Sequence, residues 1–460
     1  RLSSTALTRA TMLRLCVIAC LGIALAVGAP NYQEVIHDSF LFYEAQRSGK
    51  LPSDNRLNWR GDSALGDGSD VGLDLTGGYY DAGDFVKFGF PMAGSVTNLA
   101  WGGITWNDAY ANAGELDYLK AAVKWGTDYF IRCHPEDTVF YGQVGNGDAD
   151  HASWGRPEDM TMGRPSYKIT ADRPGSDLAG ETSAAFSAAY MLFKDSDPTY
   201  AATCLDHAKS LYKFADEHRA KYTDSIPEAA NFYQSWGGYN DELAWAAAWL
   251  AKATGDSGYL SDAEGKYGDV YTEPQEFSWD DKSVGVMTLL YELTGKSTYQ
   301  SDLQNFCDKI KDDTQKTPGG LVFISQWGSL RYNANAMFIL LQAAELGMKT
   351  SEYQDFARGQ IGYILGEGSQ RSFVIGYGNN PPTKPHHRSS SCDLMPAPCS
   401  WDAFNNPGPN PQTLTGALVG GVDSNDNYND DRGDYVSNEV ACDYNAAFTG
   451  AVAALYSLGM

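Results

Sequence analysis

An all-α fold, six helical hairpins closed into a double-layered ring, is what this 460-residue sequence predicts, and three observations carry that reading. Apolar residues recur at three- and four-residue spacing in about twelve segments. Three stretches, 190–215, 249–269 and 289–310, each run helix, short polar turn, tyrosine, helix, with Tyr200, Tyr259 and Tyr299 in equivalent places. Those tyrosines lie 59 and then 40 residues apart, too irregular for a strict solenoid. Twelve helices therefore pair as six hairpins that close on themselves, with an inner ring whose loops surround a depression at one end.

Taken in order, the chain begins with residues that do not belong to that body. Residues 1–11 read as leader sequence. Met12 and Arg14 then precede an apolar run from Leu15 to Val27, and Val27 and Ala29 fit a small-x-small cleavage site. This is a signal peptide in form and too short to span a bilayer, so the chain is expected to be secreted, with 1–29 as leader and signal and 30–460 as one catalytic domain. Helices are predicted over 32–48, 91–106, 115–132, 177–194, 199–219, 240–254, 257–268, 281–294, 298–312, 329–347, 351–366 and 438–458. Gly255, Gly295 and Gly347 supply left-handed stops, and Asp281 and Ser351 supply capping side chains. The longest non-helical stretches, 49–90, 133–176 and 367–437, are rich in Gly, aromatic residues and Asp. Loops of this length and composition build sites.

Composition narrows the partners. Hydrophobic residues make up 43% and charged residues 20%, and the mean hydropathy is −0.37, as in an ordinary folded protein rather than a disordered or membrane-spanning one. A net charge of −24 repels nucleic acid, anionic membranes and acidic polysaccharides. The 48 Gly, 11 Trp, 28 Tyr and 19 Phe suit a neutral, ring-shaped ligand, although large helical proteins also pack aromatics. Of the cysteines beyond the signal, Cys392 and Cys399 share a Pro-containing loop and form the favoured pair. No Asn-x-Ser/Thr sequon occurs.

Three motifs carry chemistry. In GGYYDAGDFVKF (77–88), Asp81 and Asp84 place two carboxylates on one tight turn, where one can hold and deprotonate a water; by itself Asp-x-x-Asp is more often a helix cap. In NNPPTKPHHRSS (379–390), a stiff Pro-rich backbone fixes His386, His387 and Arg388, which can donate to sugar hydroxyls. The spacing of Cys392 and Cys399 is wrong for zinc. In YNDDRGDYVSNEVACDYNAAF (428–448), Glu439 falls in the first turn of the last helix, with Tyr444 and Asn445 following. An EF-hand starting at Asp423 fails, since Tyr428 stands for the required Gly and Asp434 for the required Glu. No His-Glu-x-x-His, Gly-x-Ser-x-Gly, phosphate loop or dinucleotide fingerprint is present.

The three motifs together, in this order, resemble glycoside hydrolase family 9, the inverting cellulases, over about 32–458. The resemblance implies an (α/α)6 barrel and endo-cleavage of β-1,4-glucan with inversion. It implies Asp84 as catalytic base, Asp81 as its partner in holding water, and Glu439 as general acid. It also implies substrate contacts at His134, His386, Arg388 and Tyr444, aromatic platforms at Tyr233, Trp236 and Trp327, and Arg331 beside the last of them. Inversion needs an acid and a base roughly 6.5–9.5 Å apart, and crowding by Asp81 and Asp84 is expected to keep Glu439 protonated.

The resemblance further implies a structural calcium ion on Gly237, Gly238, Asp241 and Glu242 with Asp280 as a distant carboxylate. Gly237 replaces the usual Ser, which removes one hydroxyl ligand, and an N-cap on the 240–254 helix is the plainer reading of the same residues. No organic cofactor is expected. The partner is a β-1,4-glucan, and the protein is expected to act as a monomer. With no cellulose-binding module read in the chain, non-processive action on soluble or amorphous glucan is expected. A non-catalytic glycan-binding protein on the same scaffold, or an exo-acting relative, is the alternative.

Overall fold

A computed structural model describes residues 30–459. The predicted leader and signal peptide, 1–29, lie outside the described residues. Twelve principal helices appear in the order and close to the places that periodicity assigns. They are α1 (Tyr32–Ala45), α2 (Gly89–Thr105), α3 (Leu116–Cys133), α4 (Ser176–Phe193), α5 (Pro198–Glu217), α6 (Asn240–Thr254), α7 (Ser257–Lys266), α8 (Ser283–Thr294), α9 (Ser297–Asp308), α10 (Ser329–Glu345), α11 (Thr350–Leu365) and α12 (Cys442–Ser457).

The even-numbered helices form the inner ring. Each packs on the next, α2 on α4, α4 on α6, α6 on α8, α8 on α10 and α10 on α12, and α12 returns to α2. The odd-numbered helices line the outside, α3 against α2, α5 against α4, α7 against α6, α9 against α8, α11 against α10 and α1 against α12. This is the (α/α)6 barrel. Tyr200, Tyr259 and Tyr299 each hold the third position of an outer helix, α5, α7 and α9, so the self-similarity in the sequence is the hairpin repeat itself.

The two layers differ as their surroundings demand. Outer helix α3 is amphipathic: Leu119, Ala122, Val123, Gly126, Tyr129, Phe130 and Cys133 are buried at helical spacing while its other face is solvated. Inner helices are buried nearly all round and use small residues, as in SDLAGETSAAFSAAYMLF of α4. Closure of the ring depends on that smallness. A Cβ on Gly102 of α2 would stand 3.2 Å from the Cα of Gly450 on α12, so two helices from opposite ends of the chain meet backbone to backbone there. Inside the ring Trp101 stands edge-on to Trp245, Trp249 and Phe338 at 5.2–5.8 Å, a geometry that aromatic rings favour.

Gly255 and Gly295 end α6 and α8 in the left-handed conformation, φ +69° and +64°, as expected. Asp281 accepts from the N–H of Ser283, the first residue of α8, but the N-cap position belongs to Lys282, whose side chain does not cap. Ser351 does not cap: α11 already starts at Thr350, after Lys349 in left-handed geometry. The helical reading also passed over a small antiparallel sheet, β1 (Lys87–Phe88), β2 (Val139–Val144) and β3 (Ser166–Thr170), in the order β1-β2-β3. β1 feeds straight into α2 and so carries the Asp81–Asp84 loop to the mouth of the ring.

Candidate active site

Three segments distant in sequence are knitted together at one end of the ring. The Asp81–Asp84 turn packs so tightly under the 386–388 segment that a Cβ on Gly83 would sit 2.1 Å from the carbonyl oxygen of His386. The N–H of Arg388 donates to the Gly83 carbonyl at 3.2 Å, that of His386 to Asn438 at 2.9 Å, and that of Cys442 to Asp81 at 2.9 Å. These three joints are made by main-chain hydrogen bonds, so the segments carrying the carboxylates are tied to one another through backbone before any side chain adds to the hold. The three segments open onto a cleft of about 470 Å³ whose walls include Asp81, Asp84, Tyr233, Trp327, Arg331, His386, Arg388, Glu439 and Tyr444.

Glu439 does not lie in a helix. A short helix, Tyr435–Asn438, ends before it, Glu439 takes ψ 148°, and α12 begins at Cys442. The sequence pattern runs the two helices together; the break between them turns the Glu439 side chain into the cleft. Its Oε2 accepts both from the indole Nε1–H of Trp327 at 2.6 Å and from the Tyr444 hydroxyl at 2.9 Å. With Oε2 twice engaged as an acceptor, a proton on this carboxyl belongs on Oε1, which points at no protein partner. Burial pushes the carboxyl up to about 7; the two donors oppose the shift, and Asp443 and then Asp84 add to it. Burial and Asp443 thus lead where crowding by Asp81 and Asp84 was expected to.

Asp81 and Asp84 are both buried at the cleft floor. Asp84 is fixed by its own turn, accepting from the N–H groups of Ala82 at 3.1 Å and Val86 at 3.2 Å. Asp81 accepts from the Tyr233 hydroxyl. Burial, then Asp84 and Asp443, push the Asp81 carboxyl well above the usual range, so this pair resists carrying two charges. Asp443 is held by Arg331 through an Nη1–Oδ2 bond of 2.9 Å, and the Arg331 guanidinium lies over the rings of Tyr332 and Tyr444.

The remaining wall is anchored from behind. His386 donates through Nδ1 to the Arg432 carbonyl at 2.7 Å, which leaves Nε2 for the cleft. Arg388 binds the Oδ2 of buried Asp150 at 2.6 Å, and Asp150 also accepts from the N–H of Phe85. Its charge is therefore committed to holding the Asp84 loop. His387 turns away, accepting from the Ser390 N–H and bonding Gln46 through Nε2. Trp327 is half-exposed, 5.3 Å from Tyr435, and Tyr233 stands edge-on to Trp279 at 4.9 Å.

Two expected contacts lie elsewhere. His134 is not in the cleft. It ends α3, is buried, and meets His207 of α5 Nδ1 to Nδ1 at 2.8 Å; helix packing accounts for it. An imidazole that lines the cleft beside His386 is His151, tilted against Phe232 at 5.1 Å. It ends a five-residue helix, Gly147–His151, within the long 133–176 connection, and the acidic Asp148 and Asp150 before it were the one signal for it. Trp236 is 77% exposed and outside the cleft walls, while Trp279, which sequence reasoning did not single out, lines them.

The proposed calcium ligands gather beneath this wall. Asp280 accepts from the N–H groups of Trp236 and Gly237 at 3.0–3.2 Å, Asp241 accepts from the Lys282 N–H at 2.7 Å, and both oxygens of fully buried Glu242 lack a hydrogen-bond donor. The Gly238 carbonyl accepts from Ser235. Among the described residues no three acidic, His or Cys side chains converge as a metal cage. The donor set is all oxygen, as calcium prefers, but the buried Lys282 ammonium already stands 3.8 Å from Glu242 Oε1 and 3.4 Å from Glu181 Oε2, so an ion here would share these carboxylates with a fixed cation and need carbonyls and water to complete its shell.

The chain is similar in sequence and fold to known glycoside hydrolases. The family model described as Glycosyl hydrolase family 9 matches residues 32–452. Endoglucanase B of Cellulomonas fimi is 48% identical over 451 residues, covering 94% of this chain; the chain spans 42% of the length of that relative. The structure of an endoglucanase from the termite Nasutitermes takasagoensis superimposes with a TM-score of 0.93 at 57% identity, covering 94% of this chain and 100% of that one. The cellulase Cel9M of C. cellulolyticum, solved in complex with cellobiose, superimposes with a TM-score of 0.88 at 38% identity over 94% of this chain and 99% of that one.

Proposed function

The chain belongs to glycosyl hydrolase family 9, and from that premise we propose that it is an endo-β-1,4-glucanase that hydrolyses internal bonds of cellulose-type glucans with inversion at the anomeric carbon. The observation that carries the reading is that one cleft is lined both by a carboxyl with a free oxygen, Glu439, and by the acidic pair Asp81 and Asp84. Glu439 gives its Oε1 proton to the leaving glycosidic oxygen. Trp327 and Tyr444, already donating to Oε2, stabilise the carboxylate that forms. Asp84 takes a proton from water attacking the opposite face of the sugar, and Asp81, steadied by Tyr233, helps position that water. Trp279, Tyr233 and Trp327 offer ring faces to glucose units.

Proton NMR of a cellopentaose digest tests the mechanism. The α-anomer is expected to appear first, followed by mutarotation; a first-formed β-anomer refutes inversion. Among the described residues no helix is long and apolar enough to cross a membrane, which is compatible with secretion.

Calcium belongs to the same proposal. Asp241, Glu242 and Asp280, with the carbonyls of Gly237 and Gly238, would hold the ion, and it would neutralise acidic charge next to the loop that carries Trp236. Millimolar calcium is expected to raise the thermal midpoint by roughly 5 °C over protein in EDTA. Equal melting curves in calcium and EDTA refute the site.

A further inference from the structure

Trp401 has no role in the site described above. It is 44% exposed and sits on a short helix, Trp401–Phe404, within the loop that follows Cys392. A bare indole on a surface loop is ordinary when the loop is loose, but this loop is held at three points. The Cys392–Cys399 disulfide closes its first half. Arg156 donates to the carbonyls of Asp393 and Ala397 at 2.9 and 2.7 Å. Arg432, itself 2% exposed and facing no carboxylate, directs its guanidinium at the carbonyls of Ala403, Phe404, Asn406 and Gly408. The ring is thus immobilised before any ligand arrives, which removes the ordering cost that a loose side chain incurs on binding.

The fixed ring lies outside the cleft walls and is linked to them through the buried Trp154. Trp401 lies 5.7 Å from Trp154 with the planes 38° apart, and Trp154 stands edge-on to the cleft residue His386 at 5.3 Å. Each of these ring-to-ring steps is comparable with the length of one sugar unit. The Arg432 carbonyl also accepts from His386, so one buried arginine sets both the cleft imidazole and the loop bearing Trp401.

We propose that Trp401 is an outer platform that stacks on a hexose ring of a β-1,4-glucan beyond those held in the cleft, on the side that His386 occupies, and that it makes the enzyme favour long chains over short ones. The proposal rests on the reading of the cleft as a glucan-cleaving site. The ligand chemistry follows from the ring: an uncharged sugar presents a C–H face to an indole and needs no ion pair.

The test compares Trp401→Ala and Trp401→Phe with the unaltered protein on cello-oligosaccharides from three to seven units. Trp401→Ala is expected to lower kcat/KM on the longest substrates about fivefold to tenfold, through KM, and to leave the shortest unchanged. Trp401→Phe is expected to recover most of the loss. No change at any length, or an equal fall at every length, overturns the platform. If Trp401→Ala does not fold, N-bromosuccinimide oxidation of Trp401 in Glu439→Gln protein decides. Protection by the seven-unit oligosaccharide and none by cellobiose supports the proposal, and equal oxidation with and without the long ligand overturns it. Failure of the unaltered protein to cleave any of these substrates refutes the reading of the cleft instead, and leaves the oxidation experiment to judge Trp401.

Discussion

Replacing Glu439 by Gln is expected to slow hydrolysis of cello-oligosaccharides about 10²–10⁴-fold. The amide keeps the shape and can still accept from Trp327 and Tyr444 through its oxygen, so binding of substrate is expected to stay within a few-fold. What disappears is the proton on the free oxygen. The loss should therefore track the leaving group. A 2,4-dinitrophenyl cellobioside, whose phenolate departs without protonation, is expected to suffer far less than an unactivated glucan. The pH profile gives a second reading of the same group. Glu439 is raised to about 7, and only its protonated form can act as acid, so the unaltered enzyme is expected to lose activity as the pH rises through about 7. The Glu439→Gln protein should lack that limb. A variant with equal losses on both substrates and an unchanged limb would falsify the assignment.

The second large effect is expected at Asp84. Asp84→Asn removes the proton acceptor and should slow turnover about 10²–10⁴-fold on activated and unactivated substrates alike, because attack by water is needed for both. This independence from the leaving group separates the base from the acid. Azide, which needs no deprotonation, should restore part of the rate and yield the glycosyl azide of inverted configuration. Asp84 also accepts two N–H bonds from its own turn, so the variant's melting temperature must be checked. An Asp84→Asn protein that melts normally and turns over at full rate would sink the proposed mechanism.

Periodicity was enough to read the barrel. The outer helices, buried on one face, leave a 3.6-residue trace, the inner ones leave helix-length runs of small and apolar residues, and glycines such as Gly255 and Gly295 mark where helices must stop. The active-site loops were read through motifs instead, and motifs locate residues without orienting them. That is why Glu439 was assigned to a helical turn when it occupies the break between two helices. It is also why crowding by Asp81 and Asp84 was the expected help in raising its pKa: Asp84 does contribute, but burial and Asp443 on α12 contribute more, and neither is visible until the cleft is assembled. His134 shows the limit most plainly. A histidine beside Cys and Pro after a helix is conspicuous in sequence, yet it packs against His207, while His151, within the long 133–176 connection, reaches the cleft. The small sheet escaped because β1 has only two residues and because neither β2, buried along nearly its whole length, nor β3 alternates between a buried and an exposed face.

The seam between Gly102 and Gly450 bears on how the protein comes to be made. The first inner helix finds its second neighbour only in the last one, and the acid that faces Asp84 is carried just ahead of that last helix. A ribosome works from the amino end, so the nascent polypeptide carries its base through the making of every inner helix but the last while the acid is still missing. Activity can arise only once that last helix has emerged and the circle is sealed, and a fragment released before it would be catalytically silent.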